Sequence, residues 1–353
     1  MKPKCLKPGD KVAIVSLSSG VMGEPFVKHE IDIAEKRLKD YGLVPVYMKY
    51  SMKGVKYLAK HPKQRAKDLK QAFADPTIKG IICAIGGNET YKLTPYLMKD
   101  KKFVKDIQTS PKIFTGFSDT TVNHLVLNKL GLNTFYGPCY LCDVAELEDE
   151  MLPYTKEWFE IFLGKEKTDI KSSEVWYKER TSFAPSEVGT PRQKVEETKG
   201  FETIQGKGKK TGRLFGGCIE SIYELAFGEK DRRVICEKFG LLPEGKEYEG
   251  KIIFLETSEQ KPSPDKLEEM LVALSSKGMF DYAEGLIVGK PQDEMFYEEY
   301  KEVYKKVLGD KNLPIMFNVN FGHAFPRCVL PYNIETTVDY SRKTIKFNEK
   351  IFD

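Results

Sequence analysis

The sequence predicts an α/β protein of two domains, an N-terminal domain on a parallel sheet and a C-terminal β-rich α/β domain. Three observations carry this expectation. Over residues 1–165 short apolar runs alternate with helical patterns, the signature of a parallel sheet covered on both faces. Over 166–212 the chain becomes polar, with KEKTD, KERTS and KGKK clusters and no apolar period, and reads as a linker with long surface loops. Over 213–353 strand-like runs return.

In order, KVAIVSLS is the first strand, and Phe26 to Tyr41 follows with Ile31, Ile33, Ala34 and Leu38 at helical spacing. LVPVYM is the second strand, KQRAKDLKQAFA a basic helix, and KGIICAIGG a third strand ending in two glycines. PKIFTGFSD is the fourth strand, TVNHLVLNKLG a helix ended by Gly131, and NTFYGP the fifth strand. This alternation is flavodoxin-like. In the second half GRLFGGCIESIYELAFG restores regular structure. KIIFLE, EGLIVG, PIMFNVN, ETTVDYS and KTIKFN read as strands, the last two as an antiparallel pair. Helical patterns lie at 264–276 and 294–307.

Composition narrows the function. With 56 basic and 52 acidic residues the net charge is +4, which demands neither a nucleic acid nor an anionic membrane as partner. No run approaches the roughly 18 apolar residues that span a bilayer. The run Val12–Leu17 is too short for a signal h-region. With no export signal, seven scattered cysteines point to reduced thiols and a cytoplasmic location.

Four histidines bound the acid–base chemistry. His29 and His61 sit among charges and read as solvated. His124, six residues beyond Ser118, would stand about 9 Å along a helix axis on another face. His323 follows an apolar run in the turn-rich FGHAFP, held and reachable, and reads equally as catalytic or structural. Ser118, in FTGFSDTT, sits on a strand-to-helix turn where helix amides point at the hydroxyl. Ser118 or Asp119 reads there as a plain helix N-cap as well. Glu256 ends the strand KIIFLE, with Glu259 as a competitor for the carboxylate role that orients a histidine. Gly86 and Gly87 let a backbone approach a ligand closely. Cys139 and Cys142 form C-x-x-C without two further zinc ligands, so no metal is expected. VAELEDE reads as a solvated acidic stretch.

Taken as a set, GDKVAIVSLSS, AIGGNETYKLTPYL, KIFTGFSDTT, GRLFGGCIESI, IIFLETSE and GHAFPRCVLPYN resemble, in order, the signatures of the LD-carboxypeptidase serine peptidases. The resemblance implies a Ser118–His323–Glu256 triad, with the nucleophile in the N-terminal domain and Glu256 and His323 in the C-terminal one. It implies oxyanion amides at Gly87 and Asp119, no cofactor and a homodimer. The family has a muropeptide branch and a microcin C resistance branch that cleaves aminoacyl or peptidyl nucleotides. Glu89 and Lys92 stand where the first branch commonly has glycine and arginine. The polar loop carrying Trp176 resembles the nucleotide-contacting loop of the second, the branch favoured here; Trp176 as a plain loop anchor is the alternative. Cys218 replaces a frequent asparagine. Outside the enzyme class, the same glycine turns would serve a non-catalytic small-molecule binder.

Overall fold

The computed structural model describes residues 1–353 and divides into two compact units. The first comprises residues 1–166, 180–192 and 352–353; the second comprises 167–179 and 193–351.

The first unit opens with β1 (Lys11–Val15), α1 (Lys28–Asp40) and β2 (Val44–Tyr47). Then come α2 (Val55–Lys60), α3 (Pro62–Ala74), β3 (Ile78–Cys83), α4 (Thr94–Met98) and α5 (Lys101–Thr109). It continues with β4 (Ile113–Gly116), α6 (Thr120–Lys129), β5 (Phe135–Tyr136) and α7 (Pro153–Phe159). Its strands run parallel in the order β5-β4-β3-β1-β2. Strands β1, β3 and β4 are almost wholly buried, and their sequences are near-continuous apolar runs because helices cover both faces. Helix α6 is buried from Thr120 to Leu127, so its sequence has little polar face. Helix α5 starts at Asp100, whose carboxylate accepts from the Lys102 and Phe103 amides.

The second unit begins with β6 (Asp169–Ile170), β7 (Val175–Tyr177), β8 (Lys194–Glu196), β9 (Glu202–Gln205) and β10 (Lys209–Cys218). Helices α8 (Ile219–Phe227) and α9 (Lys230–Phe239) follow, then β11 (Lys251–Glu256), α10 (Pro264–Ser275) and α11 (Met279–Tyr282). It closes with β12 (Gly285–Gly289), α12 (Tyr297–Leu308), β13 (Ile315–Val319), β14 (Leu330–Pro331), β15 (Glu335–Asp339) and β16 (Thr344–Phe347). Eight strands form one sheet in the order β6-β16-β15-β10-β11-β12-β13-β9. Its centre, β10 to β13, is parallel, and β15 and β16 pair antiparallel.

The polar stretch read as linker and loop contains four short strands. β9 adds antiparallel to β13, and β7 pairs with β8. These strands are only two to four residues long, too short to show an apolar alternation, although β6 and β7 bury Ile170, Trp176 and Tyr177. In each unit, the carboxyl ends of the parallel strands lead into the candidate residues, the usual place for a site on an open α/β sheet.

Candidate active site

In the first unit, three strand ends converge. β4 ends at Gly116, and two residues on Ser118 takes φ 64°, a left-handed conformation uncommon for a side-chain-bearing residue. Such a backbone costs about 1–3 kcal/mol and persists only where its surroundings fix it. Here the Ser118 amide donates to the Tyr136 hydroxyl (3.1 Å). Its carbonyl accepts from the Thr121 amide (2.9 Å) and hydroxyl (2.7 Å). The result is a strand–turn–helix elbow. Above it passes the turn that follows β3. A Cβ on Gly86 would lie 2.7 Å from Ser118 Oγ and 3.4 Å from the Asp119 amide nitrogen, so only glycine allows this approach.

Asp119 is not a side-chain cap, since its carboxylate makes no capping bond to α6. Buried, it accepts instead from the Ser18 hydroxyl and the Thr90 amide (2.9 Å). It thereby ties the segment after β1 to the turn after β3. Ser18 Oγ also accepts from the Glu89 amide (3.2 Å). Fully buried Arg65 donates to the carbonyls of Leu17 (3.1 Å) and Ser18 (3.0 Å) and faces Glu89 at 3.6 Å. This frame beneath the serine was not anticipated from the sequence, because its members are scattered from Leu17 to Asp119.

In the second unit, the structure brings Glu256 and His323 together. Glu256 ends β11, and His323 lies four residues beyond β13. Glu256 Oε2 accepts from the His323 amide (3.1 Å) and stands 2.8 Å from Nδ1. The approach depends on Gly322: it takes φ +86°, and a Cβ there would collide with the Glu256 carboxyl. The other ring nitrogen, Nε2, stands 3.0 Å from Glu259 Oε2. The sequence offers Glu256 and Glu259 as rivals for one role; in the fold both carboxylates hold the same imidazole, one at each nitrogen. Burial alone lowers the His323 pKa, but the charge and hydrogen bond of Glu256, then those of Glu259, outweigh it and lift it to about 10. Glu259 is held below its usual value, chiefly by its hydrogen bond to His323.

Cys218 ends β10 directly opposite Glu256 in register. Its thiol donates to Glu220 (3.2 Å), whose other oxygen accepts from the Ser258 amide and hydroxyl, both at 2.8 Å. Burial, then Glu220 and Glu256, push the Cys218 thiol well above its ordinary pKa. Sequence spacing offers no metal motif. The fold nevertheless sets donor atoms of Cys218, Glu256 and His323 within 4.8 Å of one another, the one donor group able to accept a cation. Only strand register could have signalled it. All seven cysteines are free, Cys139 and Cys142 among them.

The other histidines do structural work. His124 is fully buried between the Thr134 hydroxyl (2.8 Å) and the Gly116 carbonyl (2.9 Å). Half-buried His29 meets the Phe183 carbonyl (3.0 Å), and His61 stacks on Tyr57. Trp176, on β7, is 6% exposed, with the Lys290 ammonium 5.0 Å from its ring centroid. Lys290 is itself buried and paired with Glu197 (2.9 Å) and Glu294 (2.7 Å). VAELEDE is not simply solvated: buried Glu146 receives Arg192 Nε (2.6 Å) and Arg180 Nη2 (3.0 Å). Those arginines, 34 and 46 positions away, supply the counter-charge that allows the burial.

The N-terminal domain of the LD-carboxypeptidase family matches residues 12–137 and its C-terminal domain residues 211–338, so the chain belongs to that family of carboxypeptidases. Within it, the chain is similar to a solved MccF-like protein from Streptococcus pneumoniae, determined in complex with AMP. The two are 45% identical at a TM-score of 0.92, over 96% of this chain and 98% of that one. It is 26% identical to the microcin C7 self-immunity protein MccF of Escherichia coli, over 82% of this chain and 79% of the relative. It is 25% identical to a probable murein peptide carboxypeptidase of Bacillus subtilis, over 97% of this chain and 93% of the relative. No helix is long and apolar enough to cross a membrane.

Proposed function

We propose that the chain is a serine carboxypeptidase using Ser118, His323 and Glu256 to hydrolyse the amide of an aminoacyl or peptidyl nucleotide. The observation that carries the reading is the buried Glu256–His323 pair, with the carboxylate on Nδ1. This fixes the tautomer that leaves Nε2 to exchange protons with a nucleophile. The strained elbow at Ser118 supports the nucleophile, and the Gly86 turn over its hydroxyl supports oxyanion donors at the Gly87 and Asp119 amides. His323 takes the Ser118 proton as Oγ attacks the carbonyl. It then protonates the departing amine, and water releases the acyl group by the same route. No metal enters any step, and chelators are expected to leave turnover unchanged.

The nucleotide preference rests on the AMP-bound relative and on Glu89 and Lys92, which pair with each other at 2.8 Å. Trp176 would stack on the base once its loop admits it, and a stacked base is worth about 1–3 kcal/mol. Residues 1–165 then carry the nucleophile, 213–353 carry Glu256 and His323, and 166–212 carry the substrate loop. A cytoplasmic homodimer completes the reading, two-fold dimers being the commonest assemblies. The murein-peptide relative favours a second substrate, a muramoyl tetrapeptide. The deciding experiment compares kcat/KM for an aminoacyl sulfamoyl adenosine and an LD-linked muramoyl tetrapeptide. Preference for the nucleotide, with KM raised roughly tenfold by Trp176→Ala, is expected. Preference for the tetrapeptide reassigns the chain to muropeptides.

A further inference from the structure

In the first unit, the turn after β3 is pinned on both sides of Gly87, the residue read as an oxyanion donor. On one side the Gly86 carbonyl accepts from the Ser19 amide (3.0 Å). In a trans peptide the carbonyl and the following N–H point in opposite directions, so this bond turns the Gly87 N–H away from Ser19. Gly87 is exposed, and no group of the protein accepts from its N–H. On the other side the Glu89 amide donates to Ser18 Oγ (3.2 Å) and the Thr90 amide to Asp119 Oδ2 (2.9 Å). Ser18 Oγ in turn donates to that same Asp119 oxygen. The two segments touch: a Cβ on Gly87 would lie 2.5 Å from Ser18 Oγ and 2.9 Å from the Ser19 amide nitrogen. Behind them, Arg65 Nη1 holds the Leu17 and Ser18 carbonyls. Ser18, Arg65, Thr90 and Asp119 are all buried, where hydrogen bonds are stronger than in water.

Resting on the serine reading, we propose that Ser18 is a positioning residue for the oxyanion, its hydroxyl setting the spacing between the Gly87 and Asp119 amides. Asp119 enters this geometry twice. Its backbone N–H is one of the two donors in that reading, and its carboxylate grips the turn that carries the other. Ser18 Oγ sits between them, accepting from the turn at Glu89 and donating to Asp119. Thr90 ties the far end of the turn to the same carboxylate, while Ser18 lies beside Gly87 itself. An oxyanion is held well only where both donors come within about 2.7–3.1 Å of one point. Without the Ser18 hydroxyl the Glu89 amide loses its acceptor and the carboxylate loses one of its ties, so the turn is free to drift from Asp119. The elbow bonds of Ser118 to Tyr136 and Thr121 involve none of these atoms and remain. The two donors grip an oxygen that gains its charge in the transition state, so the effect falls on turnover rather than on substrate binding.

The test is Ser18→Ala, with Ser18→Cys, close in size but a weak hydrogen-bonding group, as the second variant should the first not fold. Each is assayed with whichever of the two substrates above the wild type hydrolyses, and by the rate at which a small fluorophosphonate labels Ser118. That reagent carries no substrate group. As Ser118 Oγ bonds to phosphorus and fluoride leaves, its phosphoryl oxygen takes the place of the oxyanion. A missing donor costs about a hundredfold to a thousandfold in kcat, so a displaced one should cost about tenfold to a hundredfold. Turnover and labelling rate should fall together by that factor, with KM within about twofold of the wild type. A side chain that only held the fold would lower the melting temperature and leave both rates of the folded protein unchanged. Wild-type rates in a folded variant, or a loss carried by KM, overturn the proposal. A wild type unlabelled at Ser118 refutes the serine reading itself, whereas a labelled wild type matched in rate by Ser18→Ala refutes only the positioning role.

Discussion

Each unit buries one histidine, and the two behave in opposite ways. His124, in the first unit, has a hydroxyl and a carbonyl as partners. Burial drives its pKa down to about 3, so it is a neutral hydrogen-bonding strut. His323, in the second unit, is equally secluded but has carboxylates at both nitrogens, and its pKa is lifted to about 10. Burial is common to both; the charge of the neighbours decides the sign. A buried histidine becomes an acid–base group only where the fold brings a carboxylate to it.

Four substitutions sharpen this contrast. The largest effect is expected from His323→Ala and Ser118→Ala, each lowering kcat by about three orders of magnitude or more with the far-ultraviolet circular dichroism unchanged. Ser118→Ala keeping more than about a tenth of wild-type turnover would mean the nucleophile is another residue. Glu256→Gln comes next. It should cost less turnover than either and move the His323 titration down, because one of its two carboxylates is gone; an unmoved titration would contradict the pairing. His124→Gln should be the mildest for catalysis. Its cost should appear as about 1–3 kcal/mol of stability in urea unfolding, from the Gly116 carbonyl or Thr134 hydroxyl left unmatched.

The two shifts also set opposite pH dependences of stability. His323, raised in the folded protein, contributes stability that is full below its ordinary value near 6.5 and lost as pH rises through about 10. His124, depressed, costs stability as pH falls from about 6.5 toward 3, because the unfolded chain takes a proton that the fold refuses. Urea midpoints of wild type and His124→Gln between pH 5 and 8 should converge toward the acid end. A constant gap would show that His124 does not titrate this way.

The strand-and-turn grammar made much of this legible in the sequence. The apolar runs of β1, β3, β4, β11, β12 and β13 announce buried parallel strands; the last residue of β11 is Glu256, and the segments after β4 and β13 hold Ser118 and His323. Hidden features depended on what lies across the sheet rather than along the chain. Cys218 meets Glu256 through register, Glu146 is buried by distant arginines, and Glu259 finds Nε2 from an ordinary polar turn. Strands β6 to β9 left no trace because each is only two to four residues long.

The central claim is that Ser118 is a hydroxyl activated by His323. Its most direct test is a fluorophosphonate reagent followed by peptide mass spectrometry on wild type and His323→Ala. The account predicts one adduct, on Ser118, in the wild type and its loss in His323→Ala. A wild type left unlabelled, or labelled equally in both proteins, would contradict it.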